Sequence, residues 1–217
     1  MTLAIIIFVL LFLLAAYMRR SAAPAAPLPA TAELHWNTRI LVCSLGGETA
    51  GGFEDTDAKV YSTFYRHINV VKGQRVDDFL GSVGRDGYDI IHLFCELDED
   101  GELAGEQGAR LNADDLFEVC READVKLLFI ASDNPSENCS VFVRRKPASG
   151  MLNIVMTISR LGDKFPFFLE GLLRGMSAGK TMPYAWVDVA PQGASLWPKK
   201  GPAVYTRIER SDLVLKP

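Results

Sequence analysis

The most uniform stretch of the chain is its first: residues 1–18 carry no charged side chain, and residues 3–16 are apolar throughout. A helix of that length rises about 27 Å, close to the ~30 Å hydrocarbon thickness of a bilayer, so the pattern predicts one transmembrane helix. Arg19 and Arg20 follow at once. The positive-inside bias retains such residues in the cytoplasm, which predicts a single pass through the inner (cytoplasmic) membrane with the C-terminal domain on the cytoplasmic side. Residues 21–26 offer the small side chains of a signal-peptidase site, but a cleaved signal carries its charge before the apolar run and here the charge follows it. Residues 19–32 then read as an Ala/Pro linker, with three prolines among small residues and no helical or strand period. In the polyproline conformation such a spacer extends about 35 Å.

From residue 33 short apolar runs alternate with amphipathic segments, the signature of a βα arrangement with a largely parallel sheet. Residues 39–44 read as the first strand, followed by the Gly-rich loop 46–52 and a helix over 55–66 with Tyr61, Tyr65, Val60 and Phe64 on its apolar side. A second strand is predicted over 68–72 and a short helix over 76–83. Residues 88–95, Tyr-Asp-Ile-Ile-His-Leu-Phe-Cys, form the near-continuous apolar run of a strand covered on both faces. Asn112, with Asp115 three residues on, marks a helix start. Fourth and fifth strands fall at 125–131 and 152–158. Within 164–177, Phe165, Phe168, Leu169, Leu172 and Leu173 recur at the spacing of one helical stripe. Beyond residue 185 only a strand or hairpin near 203–208 is suggested.

The length, 217 residues, suits one domain over residues 33–217 after the anchor and linker. A formal charge of -4 and a pI near 5.4 give no basic face, so nucleic acid is not an expected partner. Cys43, Cys95, Cys120 and Cys139 contain no C-x-x-C pair and match no zinc spacing. They read as buried core thiols of a reducing compartment.

Two motifs fail on their mechanics. Residues 175–181, Gly-Met-Ser-Ala-Gly-Lys-Thr, put three residues between the glycines and follow a helix, whereas a phosphate loop needs four and a preceding strand. A helix C-cap at Gly179 is the predicted alternative. Residues 96–107 track a calcium loop at several positions but place Gln107 where a bidentate Glu belongs. A solvated hairpin turning at residues 98–101 is predicted instead. His92 lies in a strand that reads as buried, and no H-E-x-x-H pair occurs. No metal and no cofactor is expected.

Two stretches together resemble the CHAT domains, caspase-fold relatives of separases. The family carries a strand ending in H-F-x-G-H-G and, some residues later, a strand ending in L-N-A-C-E-S. Here stand residues 88–97, Tyr-Asp-Ile-Ile-His-Leu-Phe-Cys-Glu-Leu, and residues 125–135, Val-Lys-Leu-Leu-Phe-Ile-Ala-Ser-Asp-Asn-Pro. Between them the family has an acidic hairpin and a helix opening L-S-x-x-D-L, matched by residues 98–103 and by Leu-Asn-Ala-Asp-Asp-Leu at 111–116. Downstream it has a strand and a helix ending in a G-K-S-like turn, matched at 153–157 and 179–181. The resemblance spans roughly residues 39–185 and implies an α/β fold, a caspase-like three-layer sandwich with a mostly parallel central sheet, preceded here by the transmembrane helix.

Carried over by position, His92 matches the family's first, non-catalytic histidine, Glu96 its catalytic histidine and Asp133 its catalytic cysteine. Both working groups are therefore replaced. Cysteine peptidase chemistry needs a thiolate beside an imidazole, and a carboxylate pair does not supply it. The resemblance thus implies a bacterial pseudoenzyme: a membrane-tethered protein-binding or regulatory module, in a protease or defence system, with an unidentified protein partner. The candidate binding residues are His92, within its strand, and Glu96, Asp133, Asn134, Arg144 and Arg145, on loops leaving the carboxyl ends of the strands. Alternatives are a hydrolase that uses Glu96 and Asp133 in non-peptidase chemistry, and a small-ligand sensor built on the same cleft and the loop at 46–52.

Overall fold

Strands β2 (Arg39–Leu45), β4 (Ile90–Phe94) and β8 (Leu127–Ala131) are buried at every position except Arg39. A strand alternates its side chains between two faces, so runs of this kind must be covered from both sides. Ile40 and Val42 of β2, Ile90 and Phe94 of β4, and Leu127 and Phe129 of β8 belong to one apolar cluster. Their neighbours Leu41, Cys43, Ile91, Leu93, Leu128 and Ile130 belong to a second. Helices α1 (Phe53–Ser62), α5 (Lys164–Ser177) and α6 (Met182–Val189) complete the first, through Tyr61, the stripe from Phe165 to Leu173, and Met182. Helices α2 (Val76–Asp86), α3 (Ala113–Glu122) and α4 (Ser136–Arg144) complete the second, through Phe79, Phe117 and Phe142. The protein is α/β with a mostly parallel sheet and helices on both faces.

This computed structural model describes residues 32–45, 52–105, 108–131, 134, 136–144, 153–157, 164–189, 204–208 and 213–215. The six-stranded sheet adds β3 (His67–Gln74), β9 (Asn153–Thr157) and β10 (Val204–Ile208), in the order β10-β9-β8-β4-β2-β3. All its pairings are parallel except β10 with β9. After β4 comes a small antiparallel sheet of β5 (Glu96–Leu97), β6 (Leu103–Ala104) and β7 (Arg110–Leu111). A parallel pair, β1 (Ala32–Leu34) with β11 (Leu213–Leu215), stands apart from the main sheet.

The predicted elements recur with shifted ends. The helix predicted to residue 66 stops at Ser62, where Phe64 N–H bonds back three residues to Tyr61 and the chain turns into β3. Asn112 caps α3 by accepting the Asp114 N–H at 2.8 Å. The suggested strand near 203–208 is β10, the antiparallel edge. The pairing of β1 with β11, and strand β7, carry too few residues to show a period. The apolar run of residues 1–18 and the loop at 46–51 lie outside the described residues. Among those described, no helix is long and apolar enough to cross a membrane.

Helix α5 closes as a Schellman turn: Lys180 N–H bonds to Gly175 O at 3.2 Å and Gly179 N–H to Met176 O at 2.9 Å. Gly179 sits at φ +87° with open space around it. That position is a cap, which removes the phosphate-loop reading of residues 175–181. Gly179→Ala should cost about 1 kcal/mol through backbone conformation alone, since no neighbour obstructs the methyl. Urea unfolding of the two proteins measures it, and an unchanged midpoint would contradict this account of the cap.

Candidate functional site at the carboxyl end of the sheet

Strand β2 lies between β3 and β4, so the connections run one way from it to β3 and the other way through β4 to β9. Open α/β sheets receive ligands outside the carboxyl ends of their strands at such a switch. At this end the chain leaves β2 at Leu45, β4 at Phe94 and β8 at Ala131.

Glu96 is exposed and opens β5, paired with Ala104 across the small sheet. Its hairpin turns as the sequence predicts. Asp98 Oδ1 accepts the N–H groups of Asp100 and Glu102, each at 2.9 Å, and Asp98 Oδ2 meets Arg110 Nη1 at 2.9 Å. Gly101, at φ +72°, lies so close to α4 that a Cβ there would stand 2.9 Å from the Phe142 nitrogen. Asn134 fixes the other side of the hairpin. Its Oδ1 accepts from Leu97 N at 2.6 Å and its Nδ2 donates to Cys95 O at 3.4 Å, while Asn138 Nδ2 donates to Leu97 O at 2.6 Å. Asn134 is 4% exposed, so its role is to bind the hairpin to the start of α4 rather than to meet a partner. Asp133 and Arg145 lie outside the described residues, and Arg144 is the last residue of α4.

His92 is a core residue. Its ring stacks on Phe129 with centroids 4.9 Å apart and 8° between planes, and Phe165 meets it edge-on. Tyr61 Oη lies 3.1 Å from Nδ1, and Asp57 Oδ2 lies 3.2 Å from Nε2, off the line of a ring N–H. If Nδ1 accepts the phenol proton, the ring N–H sits on Nε2, on the side of the Asp57 carboxylate. All three residues are fully buried. His92 therefore presents no atom at the surface of the chain. The sequence signal for this trio is mixed: Asp57 and Tyr61 share one face of α1, and an acid on that face reads as solvated.

Glu54 was not anticipated at all. It stands in the first turn of α1, 4% exposed, and among the described residues its Oε2 has no hydrogen-bond partner. Its negative charge joins burial in pushing the Cys43 thiol up to about 12. Ser44 Oγ accepts Gly73 N–H at 2.9 Å, and Cys43 Sγ lies 3.2 Å from Gln74 Oε1. Burial also raises Cys95 well above an ordinary thiol, with Cys43, Cys139 and Glu96 adding to it, and raises Cys139 to about 12. The thiols at this end are thus protonated and covered, as expected of cysteines read as core residues. Among the described residues, no group of three His, Cys, Asp or Glu side chains is placed to hold a metal.

The buried trio makes a quantitative expectation. Asp57→Leu alone should destabilise by about 2 kcal/mol, because it removes the polar neighbour of His92 Nε2 in a dry site. Adding His92→Phe should recover part of that loss, since an apolar ring preserves the stack on Phe129 while the Tyr61 phenol gives up its contact with Nδ1. Denaturant unfolding of the two single variants and the double variant gives the coupling directly, and strictly additive losses would refute it.

No family model matches the chain, and no curated protein matches it in sequence.

Proposed function

We propose that this chain is a catalytically inactive CHAT-like domain of caspase-like fold, tethered to the membrane through residues 1–18, that binds a protein partner as a regulatory module. The observation that carries this reading is the state of the carboxyl end: the position matching the family's catalytic histidine is the exposed Glu96, and Cys43, Cys95 and Cys139 are buried with raised pKa. A thiol of that kind is neither ionised near neutral pH nor open to a substrate carbonyl. By sequence, the position matching the catalytic cysteine is Asp133, which carries no nucleophilic sulfur.

The order of elements supports the fold half of the reading. After the strand that carries His92 come an acidic hairpin, a helix opening behind Leu111 and Asn112, a strand at β8, a strand at β9, and α5 ending in the Gly179 turn. The CHAT resemblance implies each of these, in that sequence. By sequence, the segments that follow β4 and β8 support the binding half: residues 96–102 contain five carboxylates, and Arg144, Arg145 and Lys146 stand in succession. Charges of both signs set partner choice and association rate, while membrane tethering raises the local concentration so that a weak interface suffices.

Purified full-length protein should cleave no peptide substrate, and a cysteine alkylating reagent should leave Cys43, Cys95 and Cys139 unmodified until denaturant is added. Peptide cleavage together with native labelling of Cys95, both lost in Cys95→Ser, would overturn the reading. Metal-dependent hydrolysis abolished by Glu96→Gln or Asp133→Asn would replace it with a carboxylate hydrolase. For the partner surface, reversing Arg144 and Arg145 to Glu should weaken crosslinked capture of the partner from intact membranes by roughly tenfold while the domain stays folded. Undiminished capture would remove these two residues from the interface.

A further inference from the structure

At the opposite end of the sheet, where β2 and β3 begin, a surface pocket of about 440 Å³ is lined by Arg39, Arg66, His67, Asn69, Asp86 and Tyr88 among others. The parallel register builds it, since Arg39 pairs with His67 and Ile40 with Ile68. That pairing brings residues far apart in sequence to one mouth.

Two guanidinium groups and one carboxylate line this mouth, and the Asp89 carboxylate accepts the Arg39 backbone N–H at 2.9 Å. Among the described residues neither Arg39 nor Arg66 has a carboxylate partner within ion-pair distance. Each guanidinium instead lies over an aromatic ring, Arg66 over Trp36 at 4.2 Å and Arg39 over Tyr88 at 5.6 Å. Stacking of this kind leaves the N–H fork free and limits its orientations, so less freedom is lost when an anion arrives. The one carboxylate in the lining, Asp86, is occupied. Arg85 Nε bonds it at 3.0 Å, and that hydrogen bond chiefly holds its carboxyl below the usual range, with the field of Arg39 adding to the effect. Helix α2 brings the negative end of its dipole here, which Arg85 in its last turn offsets. Asn69 Nδ2 donates to Tyr88 Oη at 2.8 Å and so fixes the pocket wall.

We propose that this pocket binds a phosphate monoester with a small polar organic part, the phosphate held by the forks of Arg39 and Arg66. Two planar guanidinium groups match the several oxygens of a phosphate better than the two of a carboxylate. The volume exceeds what a lone phosphate fills and lies in the range of small-molecule sites. The lining is mostly polar, which selects a glycerol-like or sugar-like remainder over an apolar one. Such a group is presented both by soluble phosphate esters and by the headgroup of phosphatidic acid, and the chemistry of recognition is the same. The site does not depend on the regulatory reading of the carboxyl end.

Arginine footprinting of the full-length protein tests the proposal, with phenylglyoxal as the reagent and mass spectrometry reading each site. Arg110 and Arg174, exposed and outside the pocket, serve as internal controls. In one arm glycerol 3-phosphate is added to protein in mild detergent. In the other the protein is reconstituted in phosphatidylcholine vesicles with and without phosphatidic acid. At a ligand concentration about ten times Kd, modification of Arg39 and Arg66 should slow roughly tenfold while the controls do not change. Protection by glycerol 3-phosphate identifies a soluble ester as sufficient, and protection confined to phosphatidic acid vesicles identifies the lipid headgroup. Arg66→Gln should abolish protection at Arg39, and Arg66→Lys, which keeps the charge but not the fork, should restore only part of it. Protection in neither arm, protection shared equally by the controls, or full protection of Arg39 in Arg66→Gln would each overturn the proposal.

Discussion

Burial of both faces of β2, β4 and β8 is the constraint on which the rest of the molecule depends. Each apolar side chain moved from water to that interior contributes on the order of 1.5 to 3 kcal/mol, and the alternation of a strand divides those side chains equally between two clusters. Neither cluster closes unless helices lie on both faces, and parallel strands need crossovers long enough to be those helices. The same parallel order sends the carboxyl ends of β2, β4, β8 and β9 to one side. Loops that carry chemistry therefore gather there without any further design.

That constraint also explains which parts of the architecture were legible in the sequence. Apolar runs and the α5 stripe report directly on burial, so the strands, the helix from Lys164 to Ser177 and the Asn112 cap were readable. Contacts made by polar side chains to distant backbone were not. Asn134 and Asn138 reach Leu97 across 37 and 41 residues of sequence, and no local pattern encodes such a bond. Glu54 and Asp57 turn inward from α1, although acids on a helix usually face solvent and no local pattern marks these two. His92 was legible as a buried strand residue but not as the centre of a stack with Phe129 and a contact with Tyr61. The cations Arg39 and Arg66 meet only through the register of β2 with β3.

The two ends of the sheet carry different chemistry. The carboxyl end holds an acidic hairpin locked to α4 by Gly101 and the two asparagines, above thiols that burial keeps protonated. The amino end presents guanidinium groups held over rings, with the nearby acid already paired. Both arrangements use positioned polar groups at the margins of one apolar sheet.

Under the proposed function, the protein partner meets the carboxyl end of the sheet. Photo-crosslinking from single positions in intact membranes tests it most directly, with the reactive residue placed either at Glu99, exposed in the hairpin turn, or at Asp124, exposed where the chain enters β8. A partner crosslinked from Glu99 and not from Asp124 is the predicted result. The same partner crosslinked from Asp124 and not from Glu99 would contradict it.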